Sequence, residues 1–238
     1  MLVLQARRRA RGLARALSPH AGGLANAREA VLMDRRRGAE RCSAALLQGR
    51  ALGPQSWHLL HDHPVYPVLP AAHGVHFWAC ESDLVGRLAA FVAGGLAEGQ
   101  LCLVVATAGH RAGMRRRLAL YGLTDAVVGG EVVEVDADDL LARLVGPDGL
   151  SAALFDEALG DPVRSAATTP GGVRAVGELV GLLAQRGQLG TALELERLWC
   201  ALASTVPLPL LCAYRLTGTA ADDDLRRQAG LHHSHLAA

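Results

Sequence analysis

The chain contains no lysine: all 24 basic residues among its 238 are arginine. That absence excludes Schiff-base chemistry and the phosphate-binding lysine of a Walker A loop. Long apolar runs are missing as well. The best stretches, around Leu101–Ala106 and Pro207–Tyr214, have strand length rather than the roughly 18 residues of a membrane span, so no membrane partner is expected. Close cysteine pairs are also absent. Cys42, Cys80, Cys102, Cys200 and Cys212 are scattered and odd in number, and two sit inside apolar runs. They read as buried, reduced thiols in a cytoplasmic protein. Charge is sparse, at 20%, against 50% hydrophobic residues, which excludes global disorder and leaves material for a core.

What charge there is lies unevenly. Residues 1–70 carry 11 arginines against four acids (Glu29, Asp34, Glu40, Asp62), whereas residues 71–238 carry 13 arginines against 19 acids. The formal +1 therefore hides a basic arm, +7, on an acidic body, −6. Residues 1–70 are expected to form a partly disordered or helical extension, with Met33 as an alternative start. Nucleic acid is a possible partner only through this arm. The arm has no aromatics interleaved with its arginines, no helix-turn-helix pattern, no zinc-ligand spacing and no secretory leader.

From residue 74 apolar strands alternate with amphipathic helices. Val75–Cys80, Leu101–Ala106, Glu131–Val135, Val173–Val176 and Leu208–Tyr214 read as strands. Asp83–Ala97, His110–Tyr121, Ala137–Val145, Gly149–Leu159 and Gly190–Ala203 read as helices. This alternation predicts an α/β fold: a three-layer sandwich around a mostly parallel sheet. A ligand crevice in such a sheet lies outside the carboxyl ends of the strands. Glu81, Thr107, His110, Glu178 and Tyr214 fall just after or at those ends. Arg174, four residues before Glu178, is expected to share its sheet face, either paired with it or touching a ligand. These six are the candidate ligand-binding residues, with no catalytic or metal-ligating residue assigned and no cofactor expected.

The strand-loop-helix order is that of RecA-like and KaiC-like ATPases, but the first loop, Trp78-Ala-Cys-Glu-Ser-Asp83, has neither the glycines nor the lysine of a phosphate cradle. Glu81 and Asp83 put negative charge where phosphate would sit, which favours the helix dipole and repels a nucleotide. ATP hydrolysis by the usual mechanism is not expected.

Taken in order, His76-Phe-Trp-Ala-Cys-Glu-Ser-Asp83, Ala106-Thr-Ala-Gly-His-Arg111, Val173-Arg-Ala-Val-Gly-Glu-Leu179, Leu193-Glu-Leu-Glu-Arg-Leu-Trp199, Leu210-Leu-Cys-Ala-Tyr214 and His233-Ser-His235 resemble the MEDS domain over about residues 73–236. That resemblance implies a degenerate KaiC-like P-loop fold serving as a bacterial sensory module in signal transduction or transcriptional control. It also implies that the module binds an unidentified small molecule or a signalling protein such as a kinase or regulator. The chain departs from the family at Phe77-Trp-Ala-Cys-Glu and at Cys200, where an asparagine is common. Without an attached output domain, the signal would pass through a separate partner or through self-assembly, or the chain would be a remnant.

Other readings remain open at this stage. Glu178 and His110 are an acid/base pair by type, which an enzyme of unknown reaction would use. Glu194 and Glu196 point different ways on one helix, so at most one faces inward. Histidines cluster at 58, 61, 63, 73 and 76 and at 232, 233 and 235, a composition able to bind a transition metal but without a fixed ligand framework.

Overall fold

A computed structural model describes residues 73–219, 222–223 and 225–226. The arginine-rich arm and the histidines outside these ranges lie beyond the described residues. Five strands form one parallel sheet: β1 (His73–Trp78), β2 (Leu101–Ala106), β3 (Val132–Asp136), β6 (Val173–Gly177) and β7 (Leu210–Arg215). A two-residue pair, β4 (Val145–Gly146) and β5 (Gly149–Leu150), makes a separate antiparallel hairpin. The sheet order is β1-β7-β6-β2-β3, and the central strands β2, β6 and β7 are almost wholly buried, as apolar runs covered on both faces should be.

The helices divide between the faces. On one side lie α1 (Glu81–Ala97), α2 (Ala108–Leu120) and the short α3 (Thr124–Gly129). Leu84, Leu88, Met114 and Leu118 pack there against Val104, Val176 and Leu211. The other side carries α4 (Ala137–Leu144), α5 (Ala152–Phe155), a π-helical turn (Asp156–Gly160), α6 (Asp161–Ala167), α7 (Leu179–Gln185) and α8 (Leu189–Thr205). Its core joins Leu140, Phe155, Leu183 and Trp199 to Leu103, Ala175 and Leu210, with Phe155 and Trp199 edge to face at 5.2 Å. Close approach is specified by glycine at Gly181 of α7, where a Cβ would stand 2.2 Å from the Ala213 carbonyl oxygen of β7.

The expected α/β sandwich with a mostly parallel sheet is present, with several local differences. Where one helix was expected over Gly149–Leu159, Pro147-Asp-Gly149 turns a hairpin, with Gly149 at φ 100°. The following segment then runs through α5 and the π turn into α6. Pro162 does not end that run; it stands where the π turn passes into α6. The helix α2 begins two residues earlier than expected because Thr107 caps it, its Oγ1 accepting from His110 N at 3.4 Å.

Connections leave the sheet in opposite directions at its centre. After β2 the chain crosses one face through α2 and α3 to β3, and after β6 it crosses the other face through α7 and α8 to β7. The strand order reverses between the neighbours β2 and β6, and in a parallel sheet that is where the crevice opens.

Candidate functional site at the strand reversal

Glu178 follows the last residue of β6 and Thr107 the last of β2. The backbone at Glu178 leaves the extended region (φ −109°, ψ −3°), swinging its side chain over the carboxyl edge toward α2. Its carboxylate is held from two directions. Oε2 accepts the Thr107 N–H at 3.0 Å and Oε1 lies 2.6 Å from His110 Nδ1. The anion thus occupies the N-terminus of a 13-residue helix, where the dipole favours it. Glu178 is only 3% exposed.

His110 extends the chain of contacts outward. Its Nε2 meets Glu81 Oε2 at the start of α1, and its ring stands edge-on to Trp78, centroids 5.6 Å apart. Two carboxylates on the two ring nitrogens favour the imidazolium, in which both nitrogens donate. The hydrogen bond to Glu178 raises the His110 pKa above the usual imidazole value, against the opposing effect of burial, with Glu81 adding to the rise. The Glu81 side chain is 66% exposed. The result is a Glu178–His110–Glu81 row whose inner end is buried and fixed and whose outer end opens to solvent. Cys80, exposed beside Glu81, has its thiol pKa lowered, chiefly by the Ser82 hydroxyl.

Of the six residues expected at this edge, the structure brings four together: Glu81, Thr107, His110 and Glu178. Arg174 does not join them, and the expected pair with Glu178 does not form. It lies four positions back along β6, about 13 Å in an extended chain, and its side chain runs to the amino edge. Nε donates to Gln100 Oε1 at 2.7 Å, Nη1 to the Phe91 carbonyl at 3.0 Å and Nη2 to Glu98 Oε2 at 2.9 Å. Gly95 makes room for it, since a Cβ there would stand 2.9 Å from Arg174 Cδ.

Tyr214 turns into the core on the opposite face, 2% exposed, where its hydroxyl donates to Glu196 Oε1. Of the two glutamates on α8, Glu196 faces inward and is fully buried, and Glu194 is exposed.

Two contributors were not singled out as candidates. Arg111, next to His110, donates from Nε to the Ala106 carbonyl and from Nη2 to Asp136. Asp136 caps α4 through Asp138 N and Asp139 N. Burial raises the Asp136 pKa, but the Asp139 N–H and Arg111 outweigh it and hold the group below the usual carboxylate range. Asp136 ends a strand at the same edge, the signal that selected Glu178, so the rule already in use would have found it. Two surface clefts lie elsewhere, one bounded by Asp138, Leu141, Leu183 and Arg186, the other by Phe155, Arg164, Leu198 and Leu202.

Residues 72–233 match the family described as MEDS, the methanogen/methylotroph, DcmR sensory domain. The chain belongs to the MEDS family. The matched span covers every described strand and helix, so the row Glu81–His110–Glu178 stands inside a sensory domain. No curated protein and no solved structure matches the chain. Among the described residues no helix is long and apolar enough to cross a membrane.

Proposed function

We propose that this MEDS domain is a non-catalytic sensory module that takes a small molecule at the carboxyl edge of its sheet, above the reversal between β2 and β6. One observation carries the reading: a buried carboxylate, Glu178, fixes an imidazolium whose other N–H is held by an exposed and replaceable partner, Glu81. An incoming hydrogen-bond acceptor that displaces Glu81 takes a charge-assisted bond from His110 Nε2. Trp78, edge-on to the same ring, is buried and backs the imidazole from the core side. The three acids Glu81, Asp83 and Glu178 disfavour polyphosphates, which supports a small uncharged polar ligand over a nucleotide. Binding reads out in a signalling protein, a kinase or regulator, through the altered start of α1. In this reading the kinship to KaiC-like ATPases is one of fold with the phosphate cradle lost.

The test is a thermal-shift screen of the full chain against nucleotides, cyclic dinucleotides and small halogenated or one-carbon compounds, because a ligand of the folded state raises Tm. A shift from a small uncharged compound, abolished by His110→Gln, is expected. ATP turnover above a mock purification, lost in Glu178→Gln, would overturn the reading in favour of an enzyme. That alternative draws on the same 2.6 Å contact between Glu178 and His110, an acid and base already in hydrogen-bond reach.

A further inference from the structure

A second polar cluster lies in the opposite core, where no sensory ligand needs it. Glu196 and Cys200 stand four residues apart on α8, hence on one helix face. That face meets the start of β1 and the middle of β7. His73 Nε2 lies 3.4 Å from Glu196 Oε2 and 3.2 Å from Cys212 Sγ, and His73 Nδ1 lies 3.4 Å from Cys200 Sγ. The donor atoms of His73, Glu196 and Cys200 all fall within 4.8 Å of one another. The Tyr214 hydroxyl holds the remaining Glu196 oxygen.

We propose that His73, Glu196 and Cys200 form a binding site for one thiophilic divalent cation, zinc by its donor chemistry. Three observations converge. First, a thiol, an imidazole and a carboxylate are a zinc donor set, whereas magnesium and calcium take oxygen ligands. Second, a tetrahedral ion with bonds of about 2.0–2.1 Å to nitrogen or oxygen and 2.3 Å to sulfur needs donors roughly 3.3–3.6 Å apart. The three donor atoms, all within 4.8 Å of one another, reach that spacing by side-chain movements of about 1 Å. Third, Glu196 is fully buried and its second oxygen is hydrogen-bonded by a tyrosine, the outer support that orients a ligating carboxylate. Cys200 is half-buried and gives the ion a path in.

Binding forms three bonds from the protein to the metal and releases the Cys200 thiol proton to solvent, with no change of oxidation state. Three protein ligands leave the fourth position to water. The ion ties the edge strand β1 to α8.

The test uses the full chain, reduced and chelator-treated, titrated with Co2+ as a spectroscopic probe and with Zn2+ while Tm is followed. The expected result is one equivalent of Co2+ giving a near-ultraviolet sulfur-to-cobalt charge-transfer band, and a Tm raised by Zn2+. Both effects should be lost in Cys200→Ser and in His73→Gln, with folding of each variant checked by far-ultraviolet circular dichroism. Both should be kept in Cys80→Ser and in a chain with His232, His233 and His235 changed to Gln. No band in the unmodified chain, a band that survives Cys200→Ser and His73→Gln, or one lost with the terminal histidines overturns the proposal. In that event the short contacts are thiol–imidazole hydrogen bonds alone. The outcome is independent of the thermal-shift screen, since His110→Gln leaves this cluster untouched.

Discussion

Arg174 on β6 and Glu178 just past its end sit four residues apart, both 3% exposed, both charged, and they do opposite things. Arg174 is closed off. Its three nitrogens donate to Gln100, Phe91 and Glu98, and its guanidinium lies 4.8 Å over the Phe91 ring. Nothing about it is left to a ligand. Glu178 is equally fixed, but the partner it fixes, His110, continues to an exposed carboxylate. A buried charge whose bonds all return to the protein holds structure. One that ends a row reaching solvent has a terminus that other molecules can replace. Burial and charge alone do not separate the two cases; where the last hydrogen bond goes does.

Breaking the amino-edge arrangement should have the largest effect. Arg174→Leu leaves the Phe91 carbonyl without its donor and the groove at Gly94 and Gly95 poorly filled. Loss of a buried hydrogen-bond network together with packing should lower stability by about 2–4 kcal/mol, read as a drop in the urea midpoint at unchanged slope. Because Glu98 is 60% exposed, water takes over its solvation and it adds little to that cost.

At the carboxyl edge, Glu178→Ala should cost less, about 1–3 kcal/mol, for the Thr107 N–H and His110 Nδ1 left without their acceptor. Glu178→Gln keeps an acceptor for Thr107 and should recover part of this. A recovery as large as wild type would mean the negative charge has no part in holding His110.

The pH dependence sharpens the same contrast. The His110 pKa is raised in the folded protein, so its contribution is fully present below the unfolded value of about 6.5 and is lost as pH rises through the folded value. Urea midpoints from about pH 6 to pH 9 should therefore show a falling stability component in wild type that is absent in His110→Gln and smaller in Glu178→Gln. Arg174→Leu should retain it, because an arginine does not titrate there.

Glu81→Gln should matter least for folding, within about 0.5 kcal/mol, since the residue is exposed and its ion pair faces water. It should nonetheless lower the His110 pKa, measurable as a move of the imidazole NMR titration midpoint to lower pH. Unchanged titration would mean Glu81 does not hold His110 in solution.

The sheet and its carboxyl-edge residues were legible because apolar strand runs and period-3.6 helices demand parallel pairing, and parallel pairing sends every strand end to one edge. Glu81, Thr107, His110 and Glu178 follow from that rule alone. Arg174 does not, because side-chain alternation gives a face but not a direction along the strand. A long side chain beside Gly94 and Gly95 runs to whichever end offers acceptors. Tyr214 and Glu196 escaped for a related reason. They belong to the second core, and which layer a residue joins depends on which face each crossover takes. The π turn and α6 carry no local period strong enough to show across Asp161-Pro162.

Cys80 has a practical consequence. With no lysine anywhere in the chain, amine-directed reagents have no side-chain target. Among the described thiols Cys80 is the exposed one, while Cys102 and Cys212 are buried, the Cys102 pKa pushed up to about 12 by burial. Once Cys42 is changed to Ser, a maleimide dye should therefore attach first at the residue adjoining Glu81, placing a fluorescent label at the rim of the row without any engineered cysteine.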